Sequence, residues 1–412
     1  MKANIVDLLQ RPAELERLYR EDGAAFKKEF ELLSPRFRNE PIVQFWHERL
    51  NYSSDDSQWG TSKELIGLVL IALFAGFLAQ IPLLFNVDKA FFYPRNLGFL
   101  VFPILTGYFL WKNNLAIRRV LWLLAAILAG LLFVNFLPLG EYQTLILTCI
   151  HVPILLYFGL AYAHAGGNLK NFEKRIDFLR FNGELIVMFA LILLSGFLFT
   201  ALSAALLSLV QLNLEPYAAH YVACGLAAAP IVSTYLIEKN PELVNRVSPA
   251  IARIFSPLVL VTLVVFLLNV LVEGKDPFND RDFLLVLNIL LIAVLAIIFF
   301  SVSAVSSGKI NKFLLGVLFL IALLATIVNL IALAAIAFRI SEWGLTPNRA
   351  AVIGANILIL SHVIWIDIQL YQSLKSSEKL HLVNKAIVVF LPLYFFWAAF
   401  VAFLFPLIFN FK

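Results

Sequence analysis

From residue 63 onward the chain alternates long apolar runs with short polar breaks. Eleven runs stand out, with approximate limits 63–85, 91–111, 117–138, 143–163, 184–211, 216–237, 254–274, 282–304, 311–338, 350–375 and 383–409. Each is near the ~20 apolar residues with which an α-helix crosses a bilayer. The second is interrupted by Pro94 and Pro103, and the sixth is rich in Ala and holds Pro230. The pattern predicts an all-α polytopic membrane protein of about eleven transmembrane helices over residues 63–412. No internal repeat is convincing.

Residues 1–62 follow another pattern. Leu15, Leu18, Tyr19, Phe26, Phe30 and Leu33 fall near helical spacing, and Pro12 suits a first helical turn. One amphipathic helix is expected there, then a break at Ser34-Pro35 and a second short helix around Ile42 to Leu50. Acidic residues slightly outnumber basic ones, so the segment does not read as a polybasic lipid anchor. It reads as a small cytoplasmic helical segment packed on the membrane domain. The stretch after Lys2 lacks the apolar core of a signal peptide.

Composition agrees with the pattern. Of 412 residues 14% are charged, against about 25% in soluble domains. Mean hydropathy is +0.86. The pI near 9.1 comes from Lys and Arg in short loops, which speaks for membrane topology and not for nucleic acid. One set of loops carries Lys112, Arg118 and Arg119; Lys170, Lys174, Arg175 and Arg180; Lys239, Arg246 and Arg253; Lys309 and Lys312; and Lys375, Lys379 and Lys385. The alternate set is poor in Lys and Arg and holds most of the loop carboxylates. By the positive-inside rule the first set faces the cytoplasm, with residues 1–62 inside and Lys412 outside.

Candidate chemistry is sparse. Cys149 and Cys224 both lie in apolar runs, and no Cys/His metal spacing exists. No metal and no cofactor is expected. HExxH, GxSxG, Walker and GxGxxG signatures are missing, which weighs against an enzyme without identifying an activity. Three charged stretches fall on the outer face: FFYPRN, GKDPFNDRD and FRISEWGLTPNR. Asn279 or Asp280 suits a cap for the helix beginning near Asp282, and Thr346-Pro347 reads as a cap followed by a first-turn proline. Capping does not account for Arg281, Arg339, Glu342 and Arg349 together, and with Arg95, Asp276, Asp280 and Asp282 they make up a candidate outer patch. Two readings stay open: an ion-pair network tying loops together, or a patch binding an anionic or zwitterionic group such as a lipid headgroup or glycan phosphate.

Below that face Gln80, Asn135, Asn269, Asn288, Asn329 and Asn356 sit in six different runs. At 1.5 Å per residue most lie roughly 5–14 Å from the outer end. They suit either separate helix clasps or a shared outward-facing vestibule, with Asn288, Asn329 and Asn356 the nearest candidates. His151, His362 and Asp367 are ionisable groups within runs, and two readings stay open for them: a proton relay, or structural polar groups satisfied by their neighbours. His362 and Asp367 are five residues apart, about 140° around a helix, and do not share a face. On the inner side, residues 170–184 read as an interfacial amphipathic helix that ends at Asn182-Gly183.

The stretches PAELERLYREDGAAFKKEF, FWHERLNY, FFYPRNLGF, NPELVNRVSPAIARIFSPLVL, GKDPFNDRDFLL and FRISEWGLTPNRAAV resemble a family of uncharacterised bacterial polytopic membrane proteins, catalogued as domain of unknown function 4153. The resemblance covers nearly the whole chain. It implies a bacterial inner-membrane protein and brings no substrate, site residue or partner. Three functions fit the residues. The first is a transporter or a permease flipping lipid or glycan. The alternative is a structural or signalling scaffold of an envelope assembly, with residues 1–62 docking a cytoplasmic protein. The third is a membrane enzyme acting at the outer face.

Overall fold

The computed structural model describes residues 5–9, 11–21, 26–27, 29–30, 37, 40–51, 61–140, 142–209, 218–272, 278, 280–305, 312–376 and 379–411. The chain divides into two units, 1–59 and 60–412.

In the first unit α1 (Ile5–Leu8), α2 (Pro12–Glu21) and α3 (Pro41–Asn51) surround an aromatic core. Ile5, Leu15, Phe26, Phe30, Val43, Trp46 and Leu50 are buried together. The Trp46 ring lies 4.9 Å from Phe26 and 5.4 Å from Tyr19. Arg49 covers the Trp46 ring at 4.7 Å and pairs with Glu16 at 2.8 Å. Arg20 also bonds Glu16, and these two guanidinium partners, Arg20 first, hold the Glu16 carboxyl below the usual range.

The second unit is an all-α polytopic membrane domain. Among the described residues it contains no strand, and nine helical stretches, the last of them broken, are long and apolar enough to cross a bilayer. The elements are α4 (Ser62–Ala79), α5 (Ile81–Leu84), α6 (Lys89–Lys112), α7 (Ile117–Phe136), α8 (Gln143–His164), α9 (Phe172–Leu209), α10 (Ala218–Lys239), α11 (Pro241–Val272), α12 (Arg281–Val305), α13 (Lys312–Trp343) and α14 (Pro347–Lys375). The last run breaks into α15 (Leu380–Val389), α16 (Leu391–Ala399), a π-turn (Phe400–Leu404) and α17 (Phe405–Ile408). Two expected spans are helices that fall short of the nine. In α6 the apolar stretch is diluted by Pro94, Arg95, Asn96 and Pro103. In α11 the described apolar stretch is Arg253–Leu268.

Helix ends follow sequence chemistry. Thr61 and Glu64 form a reciprocal capping box at the start of α4. Asp280 accepts from the Phe283 N–H at 3.0 Å and caps α12. Thr346 accepts from the Arg349 N–H, with Pro347 at the first position of α14. Gly344, at φ +75°, terminates α13 in a conformation that suits glycine.

The start of the fifth run also differs from the sequence reading. Asn182-Gly183 is no stop, and α9 runs through it for 38 residues. The dipeptide is a packing notch: a Cβ at Gly183 would lie 2.1 Å from the Phe300 ring of α12. The apparent turn signal is a close approach between helices.

Two cores organise the membrane domain. Side chains from α4, α6, α8, α9 and α10 form one, including Leu105, Phe109, Leu160, Phe178 and Phe181. The other joins α9 with α11 through α15 and includes Leu291, Ile298, Leu318, Ile321 and Ile366. Helix α9 serves both, with Phe178 in one and Leu179 in the other. Apolar side chains such as Leu70, Leu73, Phe77, Phe197 and Phe199 stay exposed and meet bilayer hydrocarbon.

Candidate functional site

The contacts define two ends of the bundle. At one, Lys112 pairs with Glu238, Lys239 pairs with Glu64 at 2.8 Å, and Asn113 donates to the Ala163 carbonyl at 2.8 Å. At the other, the Gln143 side chain accepts from the Asn348 N–H at 3.3 Å. The described residues of the three charged stretches belong to this second end.

There the arginines bind carbonyls. Arg95, 5% exposed, donates to Val134, Leu137 and Pro138 at the end of α7 and stacks 4.5 Å from the Phe91 ring. It is a cation on a helix C-terminus. Arg339 donates to the Phe278 carbonyl at 2.9 Å, and its Nη2 is buried without a partner. Arg349 donates to the Trp343 and Gly344 carbonyls. Both guanidinium groups lie 5.6 Å from the Trp343 ring. So Arg339 and Arg349 come together around Trp343, while Arg95 is engaged at α7. Glu342 and Asp282 are exposed. Among the described residues no salt bridge joins these charges. Asp276 and the side chains of Arg281 and Asn269 lie outside the described residues.

The amides divide among separate interfaces. Gln80 of the α4–α5 corner bonds His220 and Cys224 of α10. Asn96 and Asn135 exchange hydrogen bonds at 3.0 and 2.9 Å between α6 and α7. Asn329 donates to the Asn356 carbonyl at 3.2 Å between α13 and α14. Asn288 bonds back to Leu284 of its own helix. These are interhelical or local clasps, each worth ~1 kcal/mol or less.

The three intramembrane ionisable groups also part company. His151 bonds the Leu147 carbonyl of its own turn. His362 is fully buried, stacked 4.4 Å from Phe390, with Nε2 3.1 Å from the Ala386 carbonyl and Nδ1 3.0 Å from the Tyr394 hydroxyl. A carbonyl only accepts, so Nε2 carries the proton and Nδ1 accepts from Tyr394 when the ring is neutral. Asp367 turns to α13, where Thr326 donates to Oδ2 at 3.3 Å.

The prolines of the last run leave carbonyls for other helices to satisfy. Pro406 supplies no N–H to Ala402, and Thr148 of α8 donates to that carbonyl at 2.9 Å. Pro392 likewise frees Val388, and Arg175 of α9 donates to it at 3.1 Å.

Beside Arg175 lies a cavity of about 840 Å³ between α7, α8, α9 and α16. Its walls are apolar, with Ile127, Phe133, Leu156, Leu179, Phe395 and Phe403 prominent among them. Tyr157, Tyr162 and Arg175 supply the polar groups. Ala126 and Ala129 line it and are exposed, so it opens laterally beside α7. On α8 the lining runs from Val152 to Tyr162, about 15 Å of helix, or half of the roughly 30 Å hydrocarbon core. Among the described residues, none of the charges at the second end and none of the interhelical amides lines it. The signal in the sequence was the small-residue stretch Ala125, Ala126, Ala129 and Gly130, which reads equally as a close helix-packing face.

Comparison with family models, curated proteins and solved structures finds no match to this chain.

Proposed function

We propose that the protein accommodates an anionic or zwitterionic amphiphile and moves it within or across the membrane. The reading belongs to the transport and lipid-flipping class. The observation that carries it is the cavity. It is as deep as one leaflet, apolar along its length, open sideways to lipid, and provided with a guanidinium at one end. Its volume falls within the roughly 300–1,000 Å³ typical of ligand pockets. An acyl chain fits such walls, and a phosphate or carboxylate fits the remaining N–H groups of Arg175. The loop-charge bias supports an orientation in which Arg175 faces the cytoplasm, so the amphiphile enters from the inner leaflet. The loop motifs support placement in the bacterial inner-membrane family they resemble, with the N-terminus cytoplasmic and the C-terminus periplasmic.

The outer pair Arg339 and Arg349 supports a second contact for an anionic headgroup or glycan, because Arg339 keeps one buried N–H group free beside Trp343. The scaffold reading draws on a different observation: residues 5–51 build their own aromatic core and expose Phe45, which suits docking of a cytoplasmic protein.

The test is translocation in reconstituted vesicles. Fluorescent phosphatidylglycerol should cross faster with the protein present, and Ala129→Trp should lower the rate several-fold, since it fills the cavity without removing a packed side chain. A rate equal to that of protein-free vesicles would refute the transport reading.

A further inference from the structure

Asp367 is the one carboxylate that the α13–α14 interface holds between the charges at the two helix ends. From Phe313 to Phe338 α13 has no charged residue, and from Ala350 to Leu374 α14 has only Asp367 and the ionisable His362. The two helices pack along their length. Thr326 gives Oδ2 its hydrogen bond, while Oδ1 is buried with no partner. The next turn of α13 brings Asn329 to the same face, one turn from Thr326. Asn329 is fully buried, and its Oδ1 is also unpartnered, as is Nδ2 of the facing Asn356. The acid therefore has an unpaired Oδ1 with a buried, unpartnered amide oxygen one turn away on α13, whereas Asn356 lies about 16 Å from it along α14.

Other ionisable groups face elsewhere. Helix α14 also packs on α8, α12, α15 and α16. On α8, His151 bonds its own Leu147, and His164 lies among Phe109, Phe178 and Phe181. On α12, Asp282 is in the exposed first turn, and the Arg281 side chain lies outside the described residues. On α15, His381 and Lys385 are exposed. His362 points away from Asp367 to Phe390, Tyr394 and Ala386, and α16 offers only Tyr394. Among the described residues Asp367 has no ion-pair partner. A carboxylate in a membrane interior with one hydroxyl for company is costly, and the neutral acid is not.

We infer that Asp367, with Thr326 as its fixed hydrogen-bond donor, is a proton-exchange site within the membrane domain, loaded as the neutral acid and emptied when its surroundings are hydrated. The exchange forms and breaks a single O–H bond at Oδ1. The proton comes from the aqueous phase and returns to it, and the Thr326 bond to Oδ2 persists in both states. Asp367 is eight residues from the Lys375 end of α14, about 12 Å along the axis. The site is separate from the apolar cavity, so it supplies a source of coupling that the amphiphile reading does not contain.

Infrared difference spectroscopy on the full-length protein in nanodiscs tests this without any transport assay. At neutral pH a carboxylic-acid C=O band should be present, shift in D₂O, and convert to carboxylate absorption on alkaline titration. Asp367→Asn should remove that band completely. Thr326→Val should keep it and move its titration to higher pH, because the bond that favours the carboxylate is gone. Unchanged helicity and melting of both variants would establish that folding is intact. Absence of any Asp367-dependent acid band at neutral pH would overturn the inference, as would a band that never titrates. A Thr326→Val titration identical to wild type would remove Thr326 from the site.

Discussion

Arg175 joins two roles at one side chain. It closes the gap left by Pro392 through the Val388 carbonyl, and it stands at the end of the apolar cavity. Replacing it with Ala removes both, so the cavity is better probed at Ala129. Gly183 shows a single-residue constraint of another sort. Gly183→Ala places a methyl group against Phe300 and should cost about 1–3 kcal/mol by overpacking. Adding Phe300→Ala should return part of that loss in a thermal melt. In the first unit Trp46→Ala should cost about 3–5 kcal/mol. It should abolish hydrogen-exchange protection over residues 12–21 and 41–51 while the spans stay protected. Glu16 sets an acid limit on the same unit. Its carboxyl is held low by Arg20 and Arg49, so its contribution is present above the unfolded value of ~4.3. That contribution is lost as pH falls through the lower folded value. Protection in α2 and α3, corrected for intrinsic exchange, should therefore drop at acid pH, and Glu16→Gln should weaken that dependence.

At the scale of the element, apolar length and caps were readable from the sequence. Thr346-Pro347 and Asp280 act as caps because capping depends on neighbours within one turn. Asn182-Gly183 misled because its meaning lies in Phe300, more than a hundred residues away. The last run also hid its breaks. Pro392 and Pro406 mark them, but their stability depends on donors from other helices, Arg175 and Thr148, that no local pattern reveals. Thr148→Val should leave the Ala402 carbonyl unpaired at a cost of about 1–3 kcal/mol. Thr148→Val with Pro406→Ala should recover stability, because Ala at position 406 restores an N–H in the helix. A double variant no more stable than Thr148→Val alone would show that the freed carbonyl is not what Thr148 serves.

Across the whole molecule the membrane class was legible, since hydrocarbon imposes length and polarity on every span. The arrangement of polar groups was not. Asn135, Asn329 and Asn356 share a depth in the sequence, but Asn135 clasps Asn96 of α6 while Asn329 and Asn356 join α13 to α14. Arg95 and Arg339 share an end of the bundle but serve different carbonyls. Depth follows from counting residues, whereas azimuth and helix neighbours depend on packing. The cavity is the extreme case: Ile127, Leu156, Leu179 and Phe395 come from four separate runs and none is unusual in its own. Movement of an amphiphile by this protein requires that it occupy that space. The direct measurement is photolabelling in native-like membranes with phosphatidylglycerol carrying a diazirine in its acyl chain, read by peptide mass spectrometry. Label should concentrate on 123–133, 152–162 and 391–403, and Ala129→Trp should reduce it several-fold. Label spread evenly over lipid-exposed helices such as α4, and unchanged by Ala129→Trp, would show that the cavity does not hold an amphiphile.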